Sequence, residues 1–258
     1  MSDRVAWKSA ALETFRVGAW GLLTYIGVSA LTVIFKQNAT GALGAQFVLA
    51  EFGMARLGVA WSDPLAPMPT TRDIVRRVLG GARFGTVAAA AIILAGLATY
   101  ELERMTSRPS LIASGLGLLI AAATAARDEL LLRGLPLRAL TLLRAKLGGR
   151  GDALALVVVG LLSASARFGA GGHALDVAVF GCAGVALGAL WLRDRGAWMA
   201  WGANLAFTWF TGPLVRGGLI DIRSTRGASD ITSAPVALAL SCAFAAVGMW
   251  SVLTRPRR

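Results

Sequence analysis

Histidine is almost missing from this chain, with His173 the single example in 258 residues. That scarcity excludes any site needing two imidazoles, including the HExxH zinc arrangement and most dedicated zinc cages, so neither a metal nor a cofactor is expected. Cysteine is nearly as rare. Cys182 and Cys242 both fall inside apolar runs, where a disulfide framework is not expected and the thiols read as small packing groups. Charge is also short: 16% of residues are charged against 56% hydrophobic, too few to wet the surface of a soluble domain this long. Internal repeats and low-complexity tracts are absent as well.

What is present is a succession of apolar runs, each roughly the twenty residues a helix needs to cross a bilayer. They fall at 17–35, 42–61, 84–100, 110–132, 153–168, 174–192, 198–214 and 235–253. They are rich in Ala, Leu, Val and Gly and lack the alternating polarity of barrel strands, so helices are indicated. The expectation is an all-α, polytopic integral membrane protein with about eight transmembrane helices, forming a single membrane-embedded domain over 1–258. Basic residues precede the first run without a small-residue cleavage site, so that run reads as an uncleaved span.

The net charge of +12 does not point to nucleic acid, because the basic residues sit between apolar runs rather than on one face or in one tail. Alternate loops hold them unequally. Arg4, Lys8, Arg16, Arg72, Arg76, Arg77, Arg83, Arg138, Arg144, Lys146, Arg150, Arg193, Arg195, Arg255, Arg257 and Arg258 lie on one side, against Lys36, Arg104, Arg108, Arg167, Arg216, Arg223 and Arg226 on the other. The positive-inside rule then puts both termini in the cytoplasm and the protein in the cell membrane. The segment GLPLRALTLLRAKLGGRGD carries Leu137, Leu140, Leu143 and Leu147 near one face, as suits a helix lying in the inner interface. Gly181, Gly184 and Gly188 put small residues at helical spacing for close packing. The stretch 216–233 is the longest outer loop expected.

Charges inside a span are costly and so pair, line a cavity or do chemistry. Those expected within spans are Glu51, Arg56, Arg127, Asp128, Glu129 and Arg133. Glu51 and Arg56 are five apart, poorly spaced to pair with each other, and are expected to pair with neighbours. In ARDELLLRGL, Arg133 stands one turn beyond Glu129 and can hold it, while Asp128, about 100° around the helix, can face the bundle and take a proton from water. A charged helix end at the interface is the plainer account. His173, in SARFGAGGHALD, has Asp176 one turn downstream to orient its ring; Asn204 and Thr208 lie four apart on one helix face, where interhelical hydrogen bonding is the default role.

These three segments together resemble the CAAX protease and bacteriocin-processing (CPBP) family of intramembrane endopeptidases, related to the Ras-converting enzyme. The EExxxR-Gly-Leu motif is matched by DELLLRGL, with Asp128 in place of the first Glu. FxxxH is matched by Phe168 and His173 with one extra residue between them. HxxxN is matched by Asn204 and Thr208, without its His. The resemblance covers about 110–209. It implies hydrolysis of membrane-anchored, prenylated or small exported peptides, with Asp128 and His173 activating a water, Arg133 holding Glu129, and Asn204 with Thr208 lining the oxyanion hole. It implies membrane lipid and a peptide substrate as partners. A straight helix would leave His173 near the face opposite Asp128, and the cluster Gly169, Gly171 and Gly172 is the one place where a break could fold it inward.

Two readings stay open: an active endopeptidase, or a catalytically degenerate member of the fold serving as a membrane binding or regulatory partner. Other membrane proteases fit less well. GRGD at 149–152 spells GxGD but lies in a basic loop with no YD partner in any span, and Ser114 lacks the preceding Gly of a rhomboid-type GxSG. Neither paired broken helices nor repeated halves suggest a transporter.

Overall fold

The structure is a computed structural model and describes residues 2–35, 39–59, 61–62, 68–105, 110–216, 219–225 and 231–254. Lys36, Arg108, Arg255, Arg257 and Arg258 of the charge tally, and 217, 218 and 226–230 of the expected outer loop, lie outside the described residues.

Ten α-helices are described: α1 (Ser2–Ile34), α2 (Ala39–Arg56), α3 (Thr71–Ala98), α4 (Leu111–Asp128), α5 (Leu135–Ala139), α6 (Thr141–Leu147), α7 (Gly149–Gly169), α8 (Ala174–Asp194), α9 (Trp198–Thr211) and α10 (Pro235–Leu253). Five segments among the described residues are long and apolar enough to cross a membrane: Thr71–Ala98, Leu111–Ala139, Gly149–Gly169, Ala174–Asp194 and Pro235–Leu253. The other three expected spans fall on α1, α2 and α9. Helix α9, at 14 residues, covers only about 21 Å, and α2 carries Glu51 and Arg56. The all-α membrane class holds, with five candidate spans among the described residues.

Lipid as the solvent also explains the surface. Phe15, Leu94, Ile112, Leu161 and Trp250 stand 73%, 66%, 79%, 63% and 70% exposed, on helices that would aggregate in water. Helix α3 starts at a capping box, in which Thr70 and Asp73 each accept from the other's backbone N–H. Ser110 accepts from the Ala113 N–H to start α4.

Two details were not expected from sequence. Leu102–Met105 (β1) and Asp221–Ser224 (β2) pair antiparallel, so the loops after α3 and α9 form a small ribbon. The expected amphipathic helix is two short ones, α5 and α6, with Leu137 buried and Leu147 exposed. The charges of α2 find neighbours as expected: Trp61 Nε1 donates to both Glu51 oxygens at 3.1 and 2.9 Å, and the Arg56 guanidinium lies 4.8 Å over the Phe52 ring.

Helices α3 and α9 approach until backbones touch. A methyl group on Gly85 would overlap the Ala203 carbonyl and one on Gly202 the Val78 carbonyl, so only glycine permits this approach. Asn204 is thereby carried into the bundle interior. Gly184 and Gly188 play the equivalent part between α8 and α7, against Ser163 and Val159. One apolar cluster, with Met54, Leu130, Leu131, Val159 and Trp191, surrounds the end of α4; a second, with Ile92, Val179, Val215 and Ile231, fills the ribbon end.

Candidate active site

The helix of α4 does not end at Asp128 but widens into a single π-helical turn, Glu129–Gly134, before continuing as α5. The Leu135 N–H reaches back five residues to the Leu130 carbonyl. Single π turns within α-helices recur at functional sites because they reorient one or two side chains without unravelling the helix. Here the turn is ELLLRG itself.

Glu129 is fully buried. It meets Arg133 Nη1 at 3.5 Å, the pairing that their spacing predicts, and Asn204 Nδ2 donates to its Oε1 at 3.0 Å. The Thr208 hydroxyl in turn donates to Asn204 Oδ1 at 3.3 Å. The first and third motifs are therefore joined in space across 75 residues. The network is not closed: among the described residues, Glu129 Oε2 and Arg133 Nε and Nη1 are buried without a hydrogen-bond partner, an arrangement folded proteins rarely retain without a use for it.

Asp128 faces another way. It lines a cavity of about 650 Å³ whose walls come from α1, α2, α3, α4, α7, α8, α9 and α10. Arg127 donates to Asp128 Oδ1 from Nε at 2.9 Å and stands within 2.8 Å of it through Nη2, and its Nη1 donates to Gln46 Oε1 at 2.6 Å. Oδ2 is left without a hydrogen-bond partner among the described residues. Arg133, Asn204 and Thr208 line the same cavity, and the second amide hydrogen of Asn204 is uncommitted.

His173 is not brought to this cavity. Helix α7 does stop at Gly169, and Gly171 takes a positive φ of 80°, but the turn leads outward and His173 becomes the exposed N-cap of α8. About 27 Å of helix separates it from Trp191, which abuts Gly134 at the far end of the π turn. The Asp176 carboxylate, expected to orient the ring, is held instead by Arg167, whose Nε donates to Oδ2 at 2.8 Å, and by the Thr232 hydroxyl.

Residues 109–210 match the family described as Type II CAAX prenyl endopeptidase Rce1-like. This agrees with the CPBP resemblance read from the motifs, and the matched segment contains Asp128, Glu129, Arg133, His173, Asn204 and Thr208. No curated protein and no solved structure matches the chain. Within the matched segment, sequence reasoning missed Arg167 as a cavity residue. Its only signal was an arginine one residue before the end of an apolar run, read there as a loop charge.

Proposed function

We propose that this protein is an intramembrane endopeptidase of the CAAX-protease type, acting in the cell membrane with both termini cytoplasmic. The observation that carries the reading is Asp128, a carboxylate with one oxygen uncommitted, on the wall of a cavity that also presents Asn204 and Thr208. Asp128 removes a proton from a water as it attacks the scissile carbonyl and returns that proton to the leaving amine. The free amide hydrogen of Asn204 supports the oxyanion, with Thr208 fixing the amide's orientation. Glu129 and Arg133 form the buried brace that sets the position of Asn204 against the π turn. The wall is otherwise mostly apolar, suiting a membrane-anchored or prenylated peptide.

The position of His173 favours a second reading, a non-catalytic member of the fold that binds membrane peptides. Reconstituted protein offered a library of prenylated and lipoprotein-like reporter peptides decides between the two. Cleavage by wild type that is lost in Asp128→Asn supports the peptidase. Binding without cleavage by well-folded wild type supports the second reading.

A further inference from the structure

The chain's two cysteines lie 60 residues apart on different helices, yet Cys182 Sγ of α8 and Cys242 Sγ of α10 stand 3.2 Å from each other, both as free thiols. They are not the isolated packing groups that their sequence setting suggests. The juxtaposition belongs to a continuous register: the two helices run the same way, and about two turns further on Gly248 of α10 rests against Ala186 and Ala189 of α8. A disulfide bond is about 2.05 Å long, so side-chain rotation alone has roughly 1 Å to close. Cys242 is exposed, Cys182 half-buried. Helix α10 buries only 11% of its apolar window and holds out Val247 and Trp250, so Cys242 opens toward the acyl chains rather than water. An oxidant that reaches it must be lipid-soluble. Phe180 and Ala183, either side of Cys182, and Ser241 and Phe244, either side of Cys242, line the cavity.

We propose that Cys182 and Cys242 are a reversible dithiol–disulfide pair oxidised by lipid hydroperoxides, which staples α8 to α10 in the cavity wall. The Cys242 sulfur attacks the outer oxygen of the hydroperoxide, and the O–O bond breaks. The products are a cysteine sulfenic acid and a lipid alcohol, which keeps the thiol proton. The Cys182 sulfur then displaces the hydroxyl group, which leaves as water with the Cys182 proton, and the S–S bond forms. Two electrons pass from the sulfurs to the peroxide oxygens. Nothing in this step depends on peptide hydrolysis.

The test uses reduced, full-length protein in lipid nanodiscs, exposed to linoleate hydroperoxide. Thiols are counted by maleimide labelling after unfolding, and the intact mass and proteolytic peptides are measured. Both thiols are expected to disappear together, with the mass falling by two hydrogens and a single peptide pair joining 182 to 242. Dithiothreitol restores both thiols. In Cys182→Ala, Cys242 stops at a sulfenic acid that dimedone traps, with no cross-link within the chain. Both thiols remaining free at doses that oxidise methionine would overturn the proposal. So would Cys242 advancing to sulfinic acid beside an intact Cys182, or cross-links forming only between copies. The wild-type result decides the matter by itself if the variant does not fold.

Discussion

Two buried carboxylates of this bundle are treated in opposite ways. Asp176, 1% exposed, has both oxygens engaged: Arg167 donates to one and Thr232 to the other. Glu129, equally buried, keeps one oxygen without a partner, and neighbouring Asp128 turns one oxygen toward no described donor. A saturated carboxylate holds a turn in place and has nothing left to offer a reactant. An unsaturated carboxylate on a cavity wall retains lone pairs for a water or a substrate, at a cost in stability that structure alone does not require. The contrast sets a saturated carboxylate at the α7–α8 turn against unsaturated ones at the end of α4, where the proposed chemistry lies.

The largest expected effect breaks the brace. Arg133→Ala leaves Glu129 buried without its cation, and such uncompensated charges cost about 3–5 kcal/mol. Denaturant unfolding in micelles measures this, and a loss below about 1 kcal/mol would mean that the pair is not desolvated as described. Next, Asp176→Ala removes charge-assisted hydrogen bonds from Arg167 and Thr232, worth about 1.5–3 kcal/mol. The same unfolding assay should show that loss while the remaining folded fraction cleaves at the wild-type rate. A fall in rate with no change in stability would place Asp176 among the reacting groups. Smaller again is Asn204→Ala, which deletes one donor to Glu129 and, with it, the proposed oxyanion donor. It should slow cleavage by about 10²-fold and cost roughly 1 kcal/mol in stability. A stability loss with the rate unchanged would confine Asn204 to the brace.

Much of the fold was legible beforehand, because run length and polarity are local properties and the bilayer sets their scale. The pairing of Glu129 with Arg133 was legible for the same reason, being spaced along one helix. What escaped depends on contacts between distant segments. Asn204 donating to Glu129 joins helices 75 residues apart, and the sulfur contact joins helices 60 apart; no periodicity reports either. The π turn escaped because ELLLRG has ordinary α-helical composition and is widened by its surroundings. The glycines after Phe168 do break the helix, but three flexible residues do not state which way the chain leaves them, and it leaves away from the cavity. The shortness of α9 escaped because apolar residues continue past Thr211 into a turn at Gly212 and Pro213.

The most direct test of the division between these two regions compares peptide cleavage by Asp128→Asn and His173→Ala with that by wild type, in the same bilayers and with the same reporter. Loss of a general base costs about 10²–10⁴-fold, so Asp128→Asn should fall by that factor while His173→Ala cleaves as wild type does. A comparable fall in His173→Ala would contradict the account, because it would bring the α7–α8 turn into the reaction.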